Sequence, residues 1–160
     1  MKKLLLILIV LAVQAESWGQ VRDAARLWAS RGYFNKSLDE LRQIPEDSLT
    51  IEDMRLFYDN FAQLGQYDSL AYWGDKILKQ DPYDVSLIVD FTPRLNKGLQ
   101  GDVGKKSYPS KVIDICQKYR ERDSTHILVK RQLAEAYYNI GNYDLALPAL
   151  KQLEAVGDTC

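Results

Sequence analysis

Two heptapeptides decide how this chain reads: Gly65-Gln66-Tyr67-Asp68-Ser69-Leu70-Ala71 and, 76 residues later, Gly141-Asn142-Tyr143-Asp144-Leu145-Ala146-Leu147. Glycine, tyrosine and aspartate recur at the same offsets, followed in both by small and apolar residues. Before each glycine, apolar residues recur at helical spacing: Met54, Phe57, Tyr58, Phe61 and Leu64 in one copy, Leu133, Ala134, Tyr137 and Ile140 in the other. After each comes a second such stretch, carrying Leu70, Ala71, Ile77 and Leu78, then Ala146, Leu147, Leu150 and Leu153. Each copy therefore predicts a helix, a tight turn at glycine and a second helix.

Working outward, a third copy precedes these two. Val21, Ala24, Ala25 and Trp28 lead to Gly32-Tyr33-Phe34, and Leu38, Leu41 and Ile44 follow. A fourth lies between the clear ones, with Ile88, Phe91, Thr92 and Leu95 on its first helix and Val112, Ile113, Cys116 and Tyr119 on its second. Units of about 34 residues, the period of a common helical repeat, leave eight residues over between the two heptapeptides. These fit an insertion at 100–107. The repeats then run about 18–50, 51–84, 85–126 and 127–160.

This unit resembles the tetratricopeptide repeat. The residues that carry the resemblance are Leu133, Ala134 and Tyr137 in the first helix of the last unit, Gly141 and Tyr143 at its turn, and Ala146 in its second helix. Pro82 matches the family's closing proline. Tyr58 and Thr92 stand where small residues are usual, Leu70 replaces alanine, and Gly74 replaces a large side chain. The resemblance implies an all-α, right-handed α-solenoid of about four helix-turn-helix repeats; the first fifteen residues separately suggest a cleaved signal peptide before it. No single helix pair buries its own apolar face, so neighbours must stack into one core. Trp28, Gly32, Gly65, Tyr67, Leu133, Ala134, Tyr137, Gly141, Tyr143 and Ala146 are the expected packing residues, with Tyr67 and Tyr143 filling the wedge behind each turn.

Export is expected from the first fifteen residues. Lys2 and Lys3 precede an apolar run from Leu4 to Val13, and Gln14-Ala15 ends it. This is the layout of a secretory leader cut after a small residue, which leaves 16–160 as the repeat domain; a short uncleaved anchor or a buried N-terminal helix is the alternative. A stable bilayer span needs roughly 20 apolar residues, and the run is shorter. The expected location is periplasmic or envelope-associated in a bacterium. Losing the two lysines takes the net charge from −1 to −3, and nucleic acid binding requires a basic surface that such a chain lacks. Cys116 falls on an apolar helix face and reads as a buried free thiol, and Cys160 ends the sequence.

Nothing in the sequence assembles catalysis, so no enzyme, cofactor or metal site is expected. His126 is the sole histidine, and no partners at metal-ligand or acid/base spacing surround it. Gly98, Gly101 and Gly104 lack the strand and the Lys-Ser/Thr helix start of a phosphate loop. The expected work is holding a protein or peptide partner on the concave face. If the repeats stack as the resemblance implies, Arg22, Arg26, Arg55 and Arg131 fall near that face with Tyr138. A guanidinium column there would suit carboxylates. The alternative is helix-surface pairing, since Asp59 and Glu135 lie four residues after Arg55 and Arg131. A second functional reading is glycan binding, with tryptophans stacking on sugar rings. Exposed tyrosines, with Tyr33, Tyr72 and Tyr138 among the candidates beside Trp73, suit an interface.

Three local features complete the reading. Thr50-Ile51-Glu52-Asp53 has the form of a helix capping box, and Asp84 and Ser124 stand at similar starts. Pro93 and Pro148 fall inside helices, which each should bend. The last helix shows Leu145, Leu147, Leu150 and Leu153 without a polar cap. The chain is therefore expected either to continue into further repeats or to self-associate through that helix.

Overall fold

The computed structural model describes residues 18–98 and 107–155. The leader at 1–15, most of the insertion at 100–107 and Cys160 lie outside them. Among the described residues every regular element is helical: α1 (18–30), α2 (Phe34–Leu41), α3 (Ile51–Gln63), α4 (Tyr67–Gln80), α5 (Val85–Gly98), α6 (Ser107–Arg120), α7 (Ile127–Asn139) and α8 (Tyr143–Ala155), with one 3-10 turn at Glu46–Ser48.

The three glycine turns share one geometry. Gly32, Gly65 and Gly141 have φ of 79°, 66° and 80°, the left-handed region that side chains with a Cβ avoid. At each, the glycine N–H bonds a carbonyl three residues back and the next N–H reaches five back. For Gly141 these are Gly141 N to Tyr138 O and Asn142 N to Tyr137 O, both 2.9 Å. That double bond satisfies the last carbonyls of the first helix and reverses the chain into the second. α2 is shorter than its apolar pattern predicts. It stops at Leu41 because Pro45 bars helical geometry at Ile44, although Ile44 is still buried.

The chain divides into two compact units whose boundary falls inside α4, at Trp73–Gly74. In the first unit Phe57 stacks on Trp73 with centroids 4.2 Å apart and planes within 4°, above a core that includes Ala25, Leu38, Leu41 and Phe61. Two polar ties cross it. Asn60 Nδ2 donates to Ser37 Oγ at 2.8 Å, fully buried between α3 and α2. Arg22 Nε donates to both carboxylate oxygens of Asp53, at 3.0 and 2.9 Å, linking α1 to α3. Asp53 also closes the capping box, accepting from Thr50 N while its own N–H bonds Thr50 Oγ1.

In the second unit Phe91, Leu95, Val112, Val129 and Ala136 form the centre of the core. Gly74 makes room for Phe91: a Cβ there would stand 2.6 Å from the ring. The large residue usual at that position is thus supplied from the next helix. Thr92 is buried and its hydroxyl donates to Ile88 O at 2.7 Å, so a polar side chain replaces a small one without an unsatisfied group. Both α5 and α8 run on past their prolines. Asp84 caps α5 by accepting from Leu87 N at 3.1 Å. The start of α7 differs from expectation. His126 is its first flanking residue, and Asp123, rather than Ser124, ties the preceding loop through Thr125.

Among the packing residues, Leu133, Ala134 and Ala146 are buried, while Trp28 and Tyr137 are half-buried. The tyrosine wedge is corrected. Tyr67 is 36% exposed and Tyr143 51%. Each occupies the first position of its helix, beside the turn, and the Tyr143 ring lies edge-on to Tyr138 of α7 instead of being wedged out of solvent. Ala146 is 0% exposed, so Ala146→Leu should cost about 1–3 kcal/mol by overpacking. The same change at half-buried Ala29 should cost well under half as much. Thermal melts of the two variants check this, and equal shifts would contradict the packing.

Candidate functional site

Among the described residues no group of three His, Cys, Asp or Glu side chains stands close enough to hold a metal ion. His126 packs edge-on against Tyr119, centroids 5.7 Å apart. Cys116 is a buried free thiol, and burial pushes its pKa up to about 12. It is therefore protonated at neutral pH and no nucleophile. No helix among the described residues is long and apolar enough to cross a membrane.

The residues expected to bind a ligand divide between the units. In the first, Arg22 is largely spent on structure: besides Asp53 it donates through Nη2 to Ser48 O at 3.1 Å. Arg26 is exposed and stands 3.5 Å from Asp23, one turn away on the same helix. Arg55 is half-buried on α3. In the second unit Arg131 is half-buried on α7, and Tyr138 at its far end is 51% exposed, edge-on to Tyr143 at 5.2 Å. Of the remaining aromatics, Tyr72 donates its hydroxyl to Glu46 Oε1 at 2.6 Å. Trp28 meets Tyr33 edge-on, and Lys36 Nζ sits 4.5 Å over the tryptophan ring. Trp73 is buried with one face against Phe57, and Trp28 is half-buried with that ammonium over one face.

The site that sequence reasoning missed is a groove in the second unit, about 570 Å³ in volume. Its floor is Leu133, Ala134 and Leu153; Ile127 and Leu145 form apolar lips. The lips are 45% and 51% exposed, whereas the floor leucines are nearly closed off from solvent. One stripe comes from α7, at Ile127, Lys130, Ala134 and Tyr137, and the facing stripe from α8, at Leu145, Ala149 and Gln152. These spacings are those of one helix face. Arg120, at the end of α6, and Lys130 supply the charge. The tyrosine hydroxyl of Tyr137 is fixed by Gln117 Nε2 at 2.8 Å. Leu145 and Leu153 were visible in the sequence as unplaced apolar residues, but Arg120 and Lys130 gave no signal, because their meeting depends on how three helices pack.

No protein-family model matches the chain. No curated protein matches it in sequence. Solved structures do. TTC0263, a thermophilic tetratricopeptide protein of Thermus thermophilus, is similar over 89% of this chain and 75% of its own, with a TM-score of 0.53 at 14% identity. MamA AMB-1 aligns over 91% of this chain and 94% of its own, at 15% identity and a TM-score of 0.43. The first of these likenesses, together with the helix pairs and glycine turns, shows a tetratricopeptide-type helical repeat fold.

Proposed function

We propose that this tetratricopeptide-type fold serves as a non-catalytic scaffold holding a protein or peptide partner, and that residues 1–15 direct it to a bacterial envelope compartment. One observation carries the binding reading. Ile127, Leu128, Tyr138, Ile140, Tyr143, Leu145 and Leu147, all 43–51% exposed, crowd onto the last helix pair and its turn. Scattered exposed apolar residues are ordinary, but seven of them on one helix pair are a concentration that suits an interaction surface. Its mix of tyrosine with branched aliphatics suits a protein interface. Arg131 and Tyr138 on the neighbouring face of α7 extend that surface toward the side expected to hold a ligand. The first helix pair, where Leu27 and Tyr33 are the exposed large apolar residues among those described, is the natural comparison.

The reading is tested by placing a photo-crosslinking residue at Leu145 or Tyr138, and at Asp39 as a control, in the native host. A discrete crosslinked band from the first two positions, absent from the third and recovered in the envelope fraction, is the expected outcome. A band whose mass is twice that of the chain identifies self-association through the last helix. No crosslink at either apolar position would remove the binding reading, and crosslinks confined to the cytosol would remove the export one.

A further inference from the structure

The groove between α7 and α8 is uneven in its chemistry. Positive charge lies toward one end, where Arg120, the last residue of α6, and Lys130, in the first turn of α7, both line the groove, while no carboxylate lines it. Elsewhere on the second unit three cations are neutralised locally: Arg94 by Asp90, Lys111 by Asp75, Lys118 by Glu121. Arg120 and Lys130 have no carboxylate partner among the described residues. Their neighbours add donors, since the Tyr137 hydroxyl already accepts from Gln117 and keeps its own O–H to give, and the Gln152 amide lines the same wall. On a chain with a net charge of −1, a cationic, donor-rich end beside an apolar floor is a local exception that calls for a ligand of opposite charge.

The shape narrows the ligand. From Ile127 to Tyr137 the α7 stripe is about 15 Å long at 1.5 Å per residue, and the α8 stripe runs beside it. Two helix stripes with a trough between them present the ridges and groove that accept a third helix. Apolar residues spaced i, i+3/i+4 and i+7 on such a helix would reach the floor between Ile127 and Leu145.

We propose that this groove takes an amphipathic helix of a protein partner, apolar along one face and acidic at the end that meets Arg120 and Lys130. The proposal rests on the scaffold reading and names its partner's chemistry. The carboxylates form charge-assisted hydrogen bonds with the guanidinium and ammonium groups, and the apolar face covers Leu145 and Ile127. Charge sets the direction in which the helix lies, while the apolar contacts hold it.

The test uses the 160-residue chain and a fluorescein-labelled helical peptide of about 14 residues with leucines at that spacing and three glutamates at one end. Two further peptides carry lysines in place of the glutamates, or the glutamates at the opposite end. Fluorescence anisotropy should show the first peptide binding at least about tenfold more tightly than either other, with affinity falling as salt is raised. Arg120→Glu with Lys130→Glu should reverse the preference between the glutamate and lysine peptides. Leu145→Glu should abolish binding of both, and Arg120→Lys should retain it. Arg120 and Leu145 are exposed and Lys130 is half-buried, and circular dichroism checks that each variant is folded. Equal binding of acidic and basic peptides, no binding of either, or an unchanged preference in the double charge reversal would overturn the proposal. If crosslinking at Leu145 still traps a partner protein in those cases, the scaffold reading stands and this partner chemistry alone fails.

Discussion

Replacing Asp53 with alanine should cost about 3–5 kcal/mol, enough to remove much of the stability of a domain whose whole reserve is about 5–15 kcal/mol. Asp53 is 2% exposed and holds Arg22, itself only 19% exposed, through two hydrogen bonds. Taking away the carboxylate strands a guanidinium that cannot reach bulk water without disturbing α1. The same carboxylate accepts from Thr50 N at the head of α3, and losing that half of the capping box adds about 1 kcal/mol. Tryptophan fluorescence reports the event cleanly, because Trp18, Trp28 and Trp73 all belong to the first unit. Urea unfolding of Asp53→Ala should therefore shift to much lower denaturant. The double variant Arg22→Met/Asp53→Leu, which removes both charges, should recover most of the loss. An Asp53→Ala shift of less than about 1 kcal/mol would mean that the pair is solvated and contributes as little as a surface bridge.

Gly74→Leu should cost more than about 3 kcal/mol, and Gly74→Ala discriminates the cause. In an exposed helix, glycine to alanine stabilises by about 1 kcal/mol. Here the new Cβ would meet three ring atoms of Phe91 at 2.6–2.9 Å, and Phe91 is itself 0% exposed. Overpacking of that kind costs about 1–3 kcal/mol, so the clash outweighs the propensity gain and Gly74→Ala should be destabilised. Combining it with Phe91→Leu should relieve the clash and give smaller coupled losses than the single changes summed. Denaturant midpoints followed by circular dichroism measure all three. A stabilised Gly74→Ala would show that the ring yields and that the close approach carries no energy.

The parts of the fold that were legible in the sequence are those set by local chemistry. Gly32, Gly65 and Gly141 announce the turns because only a left-handed residue closes them, and Thr50 with Asp53 announces the head of α3. Periodicity placed Cys116 and Ala146 inside. What stayed hidden depends on side chains distant in the chain. Arg22 reads as a surface arginine until α3 brings Asp53 to it from 31 positions away. Gly74 reads as a defect until Phe91 is seen to occupy its place. Tyr67 and Tyr143 follow the repeat pattern in identity but not in burial. The groove was the least legible, since it has no motif and exists only as the space that α6, α7 and α8 leave between them.

The contacts between helices have a further consequence, for how the chain acquires its structure. In the second unit α5 meets α6 and α7, α6 meets α7, and α7 meets α8; in the first, α2 meets α3. Every one of these joins elements that are adjacent or next but one along the chain. Loop-closure entropy grows with the length of chain enclosed, so each step in assembly closes a short loop and is rewarded at once. Barriers set by topology are correspondingly low, in the range where helical proteins fold in microseconds to milliseconds. Within each unit, structure can then form in the order in which the polypeptide is made, with no waiting for a distant strand to arrive.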